Sequence, residues 1–184
     1  MGIAYKNFWS LNTDEAVAAG ILRDGTGKDI DVLMPLNAQM KGIDLYLVNV
    51  KTKKLMSIQV KGSRAYEPQR SEVKKYGQGS AGWFFFPEEI ISKAIADYFI
   101  FLIYVIEDSN DEGRRVIKPH TILVPTGILK NKCKKCKNTH GDRRLSFKIW
   151  INPKTKKAFD FRDKKMELSQ YLDGNGLKLI NQKI

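Results

Sequence analysis

Apolar positions along the chain fall into short runs separated by polar, glycine-rich or lysine-rich connections. Asn12-Thr13-Asp14-Glu15 followed by AVAAGILR has a capping residue, then acids in the first turn, then a mainly apolar stretch. This predicts a helix over about 13–23, ended by Asp24-Gly25-Thr26-Gly27. Ile30 to Met34 reads as a short strand and Pro35 to Gly42 as a loop. Two β-rich runs follow, Ile43 to Val50 and Leu55 to Val60, joined by Lys51-Thr52-Lys53-Lys54, which predicts an antiparallel hairpin. Leu45, Leu47, Ile58 and Val60 point one way, and Tyr46, Val48 and Val50 the other. Apolar residues on both sides indicate strands covered on both faces.

Residues 62–82 are polar and glycine-rich and read as a loop. Trp83 to Phe86 is a short strand, and Pro87 opens a helix through about Ala96. Tyr98 to Ile106 is the most apolar strand. The run Phe99 to Ile106 is far short of the ~20 residues that a membrane helix needs. Glu107 to Gly113 reads as an acidic turn, Thr121 to Pro125 as a strand, and residues 128–144 as a lysine-rich connection. Leu145 to Ile151 alternates as a strand, Asn152-Pro153-Lys154-Thr155 turns, and a helix is expected near 163–172. The order predicts an α/β fold with helices flanking a central mixed β-sheet. It fits one domain over 1–184 with a basic loop insertion near 128–144.

Composition sharpens the partner more than the fold. The 184 residues carry 32 Lys+Arg against 20 Asp+Glu, a formal charge of +12, and 42% are hydrophobic. A core of useful size is therefore available. The charge is uneven: eight basic and two acidic residues over 51–80, one and seven over 81–112, and nineteen and five over 113–184. Such blocks predict a basic face for a polyanion beside a face of different charge. The opening MGIAYKNFWSLNTDE has no apolar segment with a cleavage site, so no signal peptide is read. Two cysteines cannot build a disulfide framework, and a cytoplasmic setting is expected.

One constellation carries chemistry: Asp44, then Gln59-Val60-Lys61. Gln59 and Lys61 are two apart and share a face of a strand. If Val50 pairs with Leu55 around a four-residue turn, Asp44 lies opposite Lys61 and Tyr46 opposite Gln59. Opposed residues point to the same side. A carboxylate, a carboxamide oxygen and an ammonium then converge at one end of the hairpin. Mg²⁺ takes hard oxygen ligands and keeps several waters, so one carboxylate, carbonyl oxygens and a DNA phosphate suffice to hold it. The metal acidifies a water, and a neighbouring lysine stabilises charge on the phosphorus.

The text GIDLYLVNVKTKKLMSIQVKGSR, residues 42–64, preceded by the helix bearing Glu15, resembles the PD-(D/E)XK nuclease superfamily. The resemblance implies a restriction-endonuclease-like core and a Mg²⁺- or Mn²⁺-dependent endonuclease acting on DNA. It implies Asp44 as the metal-binding acid, Gln59 as the second motif position, Lys61 as the catalytic lysine and Glu15 as the helical acid. The Val60 carbonyl becomes a further ligand. Ile43 stands where the named motif has Pro. Gln59 replaces the usual acid, as in Mrr-like restriction nucleases, and leaves one negative charge fewer. Rival readings are a DNA-binding module on the same fold with weak or lost catalysis, and a junction-resolving nuclease, which requires a homodimer.

Other residues have two readings each. Glu15 also completes a capping box with Asn12, and Asp14 is a competing acid. Arg64, Arg70, Lys74 and Lys75, just after the motif, are placed to contact DNA phosphates. Cys133, Cys136 and His140 supply three zinc ligands, with His120 or Asp142 as a fourth, or else form a solvated basic loop. Trp83-Phe84-Phe85-Phe86 is a core strand or a base-stacking surface.

Overall fold

The computed structural model describes residues 13–36, 41–63, 66–108, 115–135, 144–161 and 166–184. Its elements in chain order are α1 (Thr13–Gly25), β1 (Ile30–Leu33), β2 (Leu45–Asn49), β3 (Leu55–Ser63), α2 (Arg70–Tyr76), β4 (Ser80–Pro87) and α3 (Glu89–Ser92). There follow β5 (Tyr98–Asp108), β6 (Arg115–Pro125), α4 (Thr126–Lys135), β7 (Arg144–Asn152), β8 (Lys157–Asp160), β9 (Met166–Glu167), a 3₁₀ turn (Ser169–Tyr171) and α5 (Gly174–Asn181). The architecture is α/β, with a mixed sheet ordered β1-β2-β3-β5-β6 and helices packed against it. Only β3 and β5 run parallel in it, joined by a crossover that contains α2, β4 and α3. Among the described residues, no helix is long and apolar enough to cross a membrane.

The alternation of β5 divides the core in two. Tyr98 and Ile100 face one side with Leu45, Leu47, Ile58 and Val60, where Ala18 and Leu22 of α1 and Ile180 of α5 cover them. Phe99, Phe101, Ile103 and Val105 face the other side. There a second, antiparallel sheet, β4-β7-β8-β9, packs on them through Phe84, Phe86, Phe147 and Ile149. With apolar layers on both faces, β5 is buried as its composition predicts.

Four expectations are corrected. The segment 62–82 holds α2 and the start of β4. A reciprocal capping box between Gln69 and Glu72 starts α2, and Tyr76 anchors its end against Trp150 and Phe161. The helix expected from Pro87 is only the short α3, because Pro87 still pairs with Arg144 at the end of β4. The connection 128–144 begins inside α4: lysines are good helix formers, Leu129 is fully buried, and the Thr126 hydroxyl donates to the Ala96 carbonyl at 2.6 Å. The helix expected near 163–172 is replaced, within the described part, by β9 and the 3₁₀ turn, and helix forms at α5 instead. Gly176 permits this, since a Cβ there would lie 2.5 Å from the Tyr171 carbonyl.

Candidate functional site

Turn chemistry sets the register of the motif hairpin. The Asn49 side chain accepts the N–H groups of Lys51 and Thr52, both at 3.0 Å, and the Asn49 backbone N–H donates to the Lys54 carbonyl. Lys53 takes the left-handed conformation at φ 60° and donates to the Asn49 carbonyl. The turn is therefore Val50–Lys53 rather than Lys51–Lys54, and the pairs are Leu45↔Ile58, Tyr46↔Ser57, Leu47↔Met56 and Val48↔Leu55. The expected register is corrected by two residues. A shift of two keeps the paired side chains on their faces, and the ladder ends at Leu45↔Ile58 with Asp44 just beyond it.

At the open end of the hairpin, the Asp44 N–H donates to the Ile58 carbonyl at 2.9 Å. Asp44 Oδ2 accepts the Val60 N–H at 2.7 Å. In a strand the N–H and carbonyl of one residue point the same way. The Val60 carbonyl thus faces this carboxylate, beyond the last β2 pair. Gln59 is only 5% exposed, and its Oε1 has no hydrogen-bond partner among the described residues. Lys61, two residues on along the same side, is half-buried and makes no ion pair among the described residues.

The first turn of α1 lies over the same end of β3 from the opposite side. A Cβ on Gly62 would sit 1.8 Å from Asp14 Oδ2, so only glycine admits this approach. The Tyr104 hydroxyl donates to Asp14 Oδ1 at 2.8 Å. Burial first, then the hydrogen bond and charge of Asp14, push the Tyr104 pKa up to about 12. Asp14 thereby ties α1 to β3 and β5. Glu15 is half-buried in the same turn. It and Lys61 start from opposite sides of β3.

Asp44, Gln59 and Val60 near the hairpin end bear a carboxylate, a carboxamide oxygen and a backbone carbonyl. All are hard oxygens and fit a divalent cation that keeps several waters. Among the described residues, no three His, Cys, Asp or Glu side chains form a metal-holding group. Cys136 and His140 lie outside the described residues, and Cys133 falls in the last turn of α4. His120 is engaged elsewhere, with Nδ1 2.8 Å from Asp173 and Nε2 3.2 Å from Glu107. Burial lowers the His120 pKa, but the hydrogen bonds and charges of Asp173 and Glu107 outweigh it and leave it raised.

The structure brings Arg70, Lys74 and Lys75 together on α2, all exposed, while Arg64 lies outside the described residues. The run Trp83 to Phe86 divides between the two readings of it. Phe84 and Phe86 are core, whereas Trp83 and Phe85 leave the opposite face of β4. Tyr76, Lys148 and Phe161 join them there, unforeseen from the sequence. The alternation of Leu145 to Ile151 would have put Lys148 outward, but its pairing with Trp83 is not a local signal. Comparison with protein-family models, with curated proteins and with solved structures returns no match.

Proposed function

We propose that this chain is a metal-dependent endonuclease that hydrolyses DNA phosphodiester bonds at the open end of the β2–β3 hairpin, on a restriction-endonuclease-like core. The observation that carries this reading is the Asp44 carboxylate held on the Val60 N–H at the open hairpin end, with Gln59 and Lys61 flanking Val60 along one side of β3. Asp44, Gln59 and the Val60 carbonyl would hold Mg²⁺ or Mn²⁺, whereas Glu15, across β3 from Lys61, is not brought to them. When bound, the metal supplies positive charge to a phosphate oxygen and acidity to a water. Lys61 would stabilise the charge that develops on the phosphoryl oxygens, since no carboxylate among the described residues neutralises it. Arg70, Lys74 and Lys75 on α2 would meet backbone phosphates, in keeping with the +12 charge.

A second reading, a DNA-binding module with weak or lost catalysis, is favoured by the same donors. One oxygen of Asp44 is committed to Val60, and the second position is a neutral, buried amide. Incubating the protein with plasmid, branched and single-stranded DNA, with and without Mg²⁺ or Mn²⁺, separates the readings. Metal-dependent cleavage of any form supports the nuclease. Salt-sensitive binding without cleavage supports the module. A preference for branched DNA by a dimer supports a junction-resolving nuclease.

A further inference from the structure

The outer face of the second sheet has an unusual composition. In the β4–β7 register, Trp83 stands opposite Lys148 and Phe85 opposite Ser146. Phe84, Phe86, Phe147 and Ile149 fill the core behind them, so Trp83, Phe85, Lys148 and Trp150 point outward. The outer face of an antiparallel sheet is ordinarily polar. Here α2 covers part of it through Tyr76, whose ring lies 5.5 Å from Trp150 and 4.7 Å from Phe161. Beyond Tyr76 the face stays open as a groove of about 430 Å³, lined by Lys75, Tyr76, Trp83, Phe85, Lys148 and Phe161. Phe85 is 58% exposed, and its ring centre lies 6.1 Å from that of Trp83. The Lys148 ammonium rests 3.4 Å from the Trp83 ring centre. Neither Lys75 nor Lys148 has a carboxylate partner among the described residues, and no acid lines the groove.

We propose that this groove binds unpaired nucleotides of a nucleic-acid strand, with bases stacking on the exposed Phe85 and phosphates meeting Lys75 and Lys148, the latter seated on Trp83. Every base offers a π-face, so an exposed ring beside cations that have no carboxylate partner takes an unpaired strand with little sequence preference. The bases of a duplex are already stacked on each other and offer these rings nothing. A peptide partner would find two uncompensated cations where an apolar or main-chain complement is needed, whereas a polyanion with flat bases satisfies both features. The backbone N–H of Trp83 donates to Ser63 Oγ at 2.9 Å, which ties the strand bearing the groove to β3, where Ser63 lies two residues, roughly 7 Å of strand, beyond Lys61. The proposal rests on the nuclease reading only for its choice of DNA as the strand. It adds that an unpaired stretch of strand is what the protein holds.

The test is tryptophan fluorescence and anisotropy titration with labelled oligo-dT, oligo-U, a mixed-sequence duplex and heparin, in EDTA so that cleavage does not enter. Oligo-dT or oligo-U is expected to quench tryptophan emission and bind more tightly than duplex. Phe85→Ala, a change at an exposed position, should weaken that binding about tenfold, as the loss of one stacking partner predicts. Lys148→Gln should weaken it and lower the salt slope by about one. Asp44→Asn should leave it unchanged. Binding that ignores Phe85→Ala, or heparin bound as tightly as oligo-dT, overturns the proposal. If cleavage persists without oligonucleotide binding in the groove, this inference fails and the nuclease reading stands. If groove binding persists and no DNA form is cut, the nuclease reading fails alone.

Discussion

Asp44 Oδ2 accepts the backbone N–H of Val60 at 2.7 Å, so the candidate metal-binding acid also closes the end of its own hairpin. The two roles separate on substitution. Asp44→Asn keeps an acceptor oxygen and removes the anionic charge. It should stay within about 1 kcal/mol of wild-type stability and lose DNA cleavage. Asp44→Ala leaves the Val60 N–H without its acceptor and should cost about 1–3 kcal/mol in urea unfolding. Equal stability of the two variants would show that the hydrogen bond does not matter to the fold.

The contact of Asp14 with Tyr104 has an alkaline signature. The Tyr104 pKa is raised from 10.0 to about 12, so above pH 10 the unfolded chain loses this proton before the folded one. Its contribution to stability is fully present below pH 10 and is lost as pH rises through about 12. Tyr104→Phe should remove that loss from the alkaline stability profile. Gly62→Ala should expel the Asp14 carboxylate from its seat and cost about 1–3 kcal/mol, measured by the same unfolding experiment.

His120, between Asp173 and Glu107, sets the behaviour near neutrality. Its folded pKa is raised, so its stabilisation is complete below its ordinary value of 6.5 and fades as pH rises through the folded value. Glu107 runs the other way. Its pKa is lowered, first by the hydrogen bond from Lys118 and also by His120, against the opposing effect of burial. Its contribution is therefore present above 4.5 and lost as pH falls through the folded value. Melting temperatures of wild type and His120→Gln, compared across pH, should diverge most below 6.5 and converge as pH rises above it. A constant offset would place the role of His120 in packing alone.

Lys132 of α4 pairs with Asp160, which is fully buried at the end of β8. Lys132→Met removes the cation from a buried carboxylate and should cost about 3–5 kcal/mol. Adding Asp160→Leu should recover much of that loss, because the charge left behind, rather than the missing contact, carries most of it. Thermal unfolding of the single and double variants checks this, and a double variant no more stable than the single would contradict it.

The elements readable from the sequence are those whose signal is local. The alternation of Leu45 and Leu47 with Ile58 was enough to predict the hairpin, and the spacing of Gln59 and Lys61 puts them on one side of β3, while Asp44 lies beyond the last paired residue. The register was not readable from that alternation, because it depends on whether Asn49 or Lys51 opens the turn, and the Asn49 side chain decides it through two backbone N–H groups. The helix α2 has a local signal in the Gln69-x-x-Glu72 spacing, but Tyr76 holds it in place through aromatics from distant strands. The second sheet depends on pairing β4 with β7 across β5, β6 and α4, which no local pattern specifies. The outward aromatic face followed from that pairing and was equally hidden.

Gln59 gives a test that does not depend on turnover. Replacing this buried amide with a carboxylate beside Asp44 puts two like charges together, so Gln59→Glu should be less stable than wild type without metal. Mn²⁺ should then raise its melting temperature more than it raises that of wild type, because a second anionic ligand tightens binding. Equal destabilisation with and without Mn²⁺ would remove Gln59 from the metal site.

The most direct measurement is DNA cleavage by wild type, Asp44→Asn and Lys61→Ala over a range of Mg²⁺ and Mn²⁺ concentrations, with circular dichroism confirming that each variant is folded. A nuclease centred on this hairpin predicts metal-dependent cleavage by wild type and none by either folded variant. Cleavage by folded Lys61→Ala at the wild-type rate would contradict it.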